Sequence, residues 1–85
     1  MPYIKIEDRR RLNRLLEGFE DAIQEPGELT YVITIIIMKY LYERPRNFTV
    51  LNEIIGVLDN VKNEFYRRVV APYEDQKIRE NGDVF

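Results

Sequence analysis

Eighteen residues, GELTYVITIIIMKYLYER from Gly27 to Arg44, run without a turn signal. Thr30, Val32, Ile33, Thr34, Ile35, Ile36 and Ile37 are β-branched, a composition that favours strands. The length points the other way, because strands in globular proteins usually hold 3–10 residues. The segment therefore reads as a helix over about 27–43, apolar nearly all round. Such a helix must be covered on several sides. An 85-residue chain has little else to cover it with, so the Ile35–Ile37 stretch is either private core or subunit interface.

The remaining chain also carries helical periodicity. Residues 1–6 read as an extended lead-in, with Pro2 opposing an early helix. Leu12, Leu15, Leu16, Phe19, Ala22 and Ile23 recur at spacings of three and four, which predicts a helix over about 7–24. Pro26-Gly27 is its stop signal. Leu51, Ile54, Ile55, Leu58, Val61, Phe65 and Val69 form a stripe near heptad spacing, predicting a helix over about 49–71 with Thr49 as N-cap. Gly56 inside it costs about 1 kcal/mol against alanine, and is either a point of close approach for another helix or of no special consequence. Pro72 either kinks this helix or opens a new one at its first-turn position; the favoured reading is a short last helix, 72–80, stopped at Asn81-Gly82. The expected fold is all-α: one domain, residues 1–85, a small bundle of three to four helices.

So small a core supplies only about 3–5 kcal/mol. Disulfides or a structural metal are common reinforcements, but the chain contains no cysteine and no histidine. Oligomerisation is the reinforcement left, with helices two and three as the expected self-interface. The chain also lacks serine. Cys–His and Ser–His–Asp catalysis are thereby excluded. The carboxylates mostly sit beside Arg or Lys at helical spacing, so solvated ion pairs account for them. The expectation is a protein that is not an enzyme and needs no cofactor or metal. Thirteen basic and fifteen acidic residues give a net charge of −2, which makes non-specific nucleic-acid binding an unlikely role. The most apolar stretch, Tyr31–Tyr42, is too short to span a bilayer. No signal peptide is visible, so the default expectation is a cytoplasmic protein with no membrane partner.

Basic and aromatic residues converge near the C-terminus. Tyr66, Arg67, Arg68, Tyr73 and Lys77, with Arg79 nearby, form the candidate ligand site. Arginine forks hold phosphate or carboxylate bidentately, and tyrosine rings stack on bases. A helix opening at Pro72 adds N-terminal donors for an anion. The plainer account is structural: Glu64 pairs with Arg68 and Asp75 with Arg79, each at four-residue spacing. Arg10, Arg11 and Arg14 share another helical face, with Glu7, Asp8 and Glu17 placed to neutralise it. A helix-turn-helix reading of the middle segment is weaker. Its connection, ERPRN, is longer than usual, and Glu53 and Asp59 lie where bases would be read.

The opening MPYIK with EDR, the segments PGEL, YVIT and LNEIIGVL, and the tail EFYRRVVAPYEDQKIRENGDVF resemble a family of small uncharacterised proteins from bacteriophages and bacteria. The likeness covers nearly the whole chain. Two departures stand out: Ile35-Ile36-Ile37 is more apolar than the family pattern, and Phe85 stands where a tyrosine is expected. If the hydroxyl of that tyrosine served a ligand, this chain lacks it. The resemblance implies no established activity. By analogy of setting, it suggests the small oligomeric sponges with which phages sequester nucleotide-derived immune signals. The leading expectation is a binding protein for an anionic, cyclic-nucleotide-like ligand held by Tyr66, Arg67, Arg68, Tyr73 and Lys77. The alternative is a protein–protein interaction module that docks through its tail.

Overall fold

The computed structural model describes residues 2–85. Among them five α-helices follow one another: α1 (Ile6–Asn13), α2 (Phe19–Ala22), α3 (Pro26–Tyr42), α4 (Phe48–Phe65) and α5 (Ala71–Asn81). A 3₁₀ turn, Arg14–Leu16, extends α1, and a π-helical turn, Tyr66–Val70, joins α4 to α5. No strand occurs among the described residues, so the all-α expectation holds. The chain forms two compact units, Pro2–Ile54 and Ile55–Phe85, divided within α4.

In the first unit, the helix predicted over 7–24 is interrupted. Glu17 is extended and Gly18 takes φ +77°, a left-handed conformation that glycine adopts without strain. Leu15 and Leu16, placed by periodicity on the face of Leu12, are exposed as a result. The expected helix over 27–43 is α3. Its start is built by a capping box: the Glu25 carboxylate accepts from the N3 backbone, and Glu25 N–H donates to Glu28 Oε1 at 2.9 Å. Pro26 occupies the first turn, where no N–H is needed. Thr30 and Thr34 are tolerated inside an apolar helix because their hydroxyls donate back to the carbonyls of Pro26 (3.0 Å) and Thr30 (2.8 Å). The N-cap of α4 is Asn47 and not Thr49: Asn47 Oδ1 accepts from Val50 N–H at 2.9 Å. Only Leu41 and Ile54 are buried among the described residues, at 8% and 9% exposure. Leu12, Phe19, Val32, Ile35 and Ile37 of the same unit are half-buried.

In the second unit, of the two outcomes the sequence allows at Pro72, a kink or a new helix, the chain stays helical from Ile55 to Asn81 with no break between the favoured third and fourth helices. The reason is steric. In an unbroken α-helix, the Pro72 ring would crowd the carbonyl of Arg68 and leave it without a donor. The π turn just before Pro72 opens that backbone by one residue. Pro72 then falls in the first turn of α5. The stop at Asn81-Gly82 is as expected: Gly82 has φ +90° and its N–H donates to Ile78 O at 2.8 Å. Among the described residues Gly56 brings no close approach, since none lies within 4 Å of a Cβ placed there. No residue of Ile55–Phe85 is buried.

Candidate functional site

The five candidate residues occupy the π turn and the first two turns of α5. The turn decides which of them meet. In a regular α-helix, residues eight apart diverge by about 80° around the axis, whereas residues seven apart nearly eclipse. The extra residue of the π turn moves Glu74 into the register that a straight helix gives Tyr73. The Tyr66 hydroxyl accordingly donates to Glu74 Oε1 at 2.7 Å. That hydrogen bond, then the Glu74 charge, raises the Tyr66 phenol above its usual range, with Asp75 adding a smaller push. The Tyr66 hydroxyl is thus committed to a carboxylate, leaving its half-exposed ring to stack.

The cations are engaged differently from the sequence expectation. Arg67, not Arg68, pairs with Glu64: its Nε donates to Oε2 at 3.3 Å and its Nη2 to Oε1. The pair sits at three-residue spacing, which suits a helix as well as four does. Asp75 and Arg79 make no ion pair with each other; Glu80 instead accepts from Lys77 at 3.1 Å and from Gln76 at 3.1 Å. Lys77 Nζ also lies 5.5 Å from the Tyr73 ring centroid. Arg68 makes no side-chain hydrogen bond or ion pair among the described residues.

Tyr73 and Lys77 line a shallow groove of about 420 Å³ together with Ile78, Val84 and Phe85. Arg67 and Arg68 do not line it. Four basic and four acidic side chains lie between Glu64 and Glu80. The segment is therefore neutral, with no net field to draw an anion from a distance. An anion arriving at Lys77 would displace the exposed Glu80 carboxylate, a contact worth about 0–1 kcal/mol, whereas the Glu64 carboxylate held by Arg67 is half-buried.

At the other basic cluster, Arg11 lies 3.8 Å from Asp8, and Arg9 Nε donates to Ile4 O at 2.8 Å. A larger groove, about 650 Å³, runs along the end of α3 between Ile35, Met38, Lys39, Tyr42, Glu43 and Arg46. The sequence reading passed over it. Its only sequence signal was Lys39 interrupting the apolar run. Nearby, Arg44 stacks 3.5 Å from the Tyr40 ring centroid and donates to the Tyr40 carbonyl at 2.5 Å, closing the helix end.

No helix among the described residues is long and apolar enough to cross a membrane, and no carboxylate cluster among them could hold a metal ion. No curated protein and no solved structure matches the chain. The family model for a domain of unknown function, DUF6899, matches residues 1–84, and the chain belongs to that uncharacterised family.

Proposed function

We propose that this protein is a non-enzymatic interaction module that works as a homo-oligomer through α3 and α4. One observation supports this above the rest: the apolar surface of both helices is left open. Ile33, Ile36 and Met38 on α3 and Ile55, Val57, Val61 and Phe65 on α4 are all exposed. Burying a Leu or Ile side chain contributes about 1.5–3 kcal/mol. The two buried ones, Leu41 and Ile54, therefore contribute about 3–6 kcal/mol. So small a core in one chain favours the further burial that assembly provides. Sedimentation equilibrium tests this: a self-associating species at micromolar concentration is expected, and a well-folded monomer at all concentrations would remove the reading.

A second reading has its own support in Arg68, the cation of the candidate set that no carboxylate neutralises. On this reading the C-terminal segment captures an anionic, nucleotide-like ligand, as a sponge for a cyclic-nucleotide-like signal. Arg68 and Arg67 hold phosphate, Tyr66 and Tyr73 stack, and Lys77 adds charge. Melting against a panel of mono-, di- and cyclic nucleotides tests it. One nucleotide at 100 times its Kd should stabilise the fold by about 2.7 kcal/mol, and the gain should vanish in Arg68→Ala. No shift across the panel would leave the interaction module alone.

A further inference from the structure

We infer that α4 pairs antiparallel with α4 of a second copy, in a register set by Lys62 and Asp59. This rests on the self-assembly reading above and gives it a geometry. Ile55, Leu58, Lys62 and Phe65 follow one another at spacings of three, four and three. That is the seam spacing of a two-helix coiled coil. All four are exposed, Ile55 at 57% and Phe65 at 58%. In the unit Ile55–Phe85 that holds them, no residue is buried. The seam is apolar except for Lys62, and a lysine at a seam position is a register-setting residue.

Charge decides the orientation. In a parallel pair, Lys62 would face Lys62 of the second copy across the seam, a like-charge contact that disfavours the arrangement. In an antiparallel pair centred on Asn60, the four seam positions map onto themselves. Ile55 then meets Phe65 of the second copy, and Leu58 meets the stem of its Lys62. The Lys62 ammonium emerges beside Asp59 of the second copy, and two-fold symmetry repeats the pair. Shifting the antiparallel register by one heptad in either direction takes Lys62 away from Asp59 and exposes seam residues. The sequence of α4 is thus self-complementary in one register. The lysine stem adds apolar cover while its head reaches a carboxylate.

The test uses the full chain in sedimentation equilibrium. Lys62→Asp alone and Asp59→Lys alone should each weaken self-association at least about tenfold, through like charges across the seam. Mixing the two variants should restore association. Each chain in the mixture still carries its own like-charged pair, so recovery must come from contact between copies. The double variant D59K/K62D should associate within about threefold of wild type, because the antiparallel pair then sets the new carboxylate at 62 against the new ammonium at 59 of the second copy; a parallel pair predicts instead that the single variants match wild type. Self-association of K62D equal to wild type, a double variant as weak as the singles, or a trimeric wild type would each overturn the antiparallel pairing while leaving self-assembly standing. A monomeric wild type would overturn both.

Discussion

Tyr66 and Glu74 stand eight residues apart, yet the phenol of one donates to the carboxylate of the other at 2.7 Å. The π turn between them makes this possible, and Pro72 supplies the physical cause of the turn. The hydrogen bond therefore reports on the backbone geometry of the whole candidate site.

This contact has a pH signature. Glu74 holds the Tyr66 phenol neutral above the ordinary tyrosine range. A group whose pKa is raised by folding contributes stability that is complete below the unfolded value, about 10 for tyrosine, and lost as pH rises through the folded value. Absorbance titration of tyrosinate should show one late-ionising phenol among the six tyrosines. Tyr66→Phe should delete that step, and Glu74→Gln should move it back toward the others. A Glu74→Gln curve that overlays the wild type would disprove the assignment.

Replacing Pro72 with alanine restores the missing N–H and removes the ring. The π turn then relaxes to α, and Glu74 turns about 100° away from Tyr66. The melting temperature of Pro72→Ala should equal or exceed that of wild type, while the late tyrosine step disappears. Retention of that step would mean that Pro72 is not what holds the turn open.

Gly56 sits mid-helix with none of the described residues near its missing Cβ. Gly56→Ala should stabilise the protein by about 0.5–1 kcal/mol in chemical denaturation, since alanine loses less backbone entropy in a helix. A loss of stability would reveal a close neighbour at that position in the assembled state.

Asn47 closes the start of α4 through Val50 N–H. Asn47→Ala should cost about 1 kcal/mol, whereas Thr49→Ala should cost a few tenths. The reverse order, read by urea unfolding, would put the cap on Thr49 after all.

Leu41 is the more deeply buried of the two core residues. Leu41→Ala should cost about 2–5 kcal/mol, enough to unfold so small a chain at low concentration. High protein concentration should rescue the fold if assembly stabilises it. A concentration-independent melting temperature for wild type and variant alike would contradict the need for assembly.

The sequence determined that this chain is helical. The run from Gly27 to Tyr42 is too long for a strand, and the three-and-four spacing from Leu51 to Phe65 is visible by eye. Local chemistry also placed the stops at Pro26 and Gly82, because those residues act on their own backbone. The helix break at Gly18 was legible as well, but the apolar spacing of Leu12, Leu15 and Leu16 masked it. Three-dimensional structure decided what periodicity cannot express. A five-residue π turn absorbs Pro72 and rotates everything after it, so Glu74 meets Tyr66 in the register that a straight helix gives Tyr73. Arg67 takes Glu64 and leaves Arg68 open, a choice between two spacings that a helix accepts equally. Side-chain partnerships around a register shift depend on angles summed along the backbone, and a list of residue types does not contain those angles.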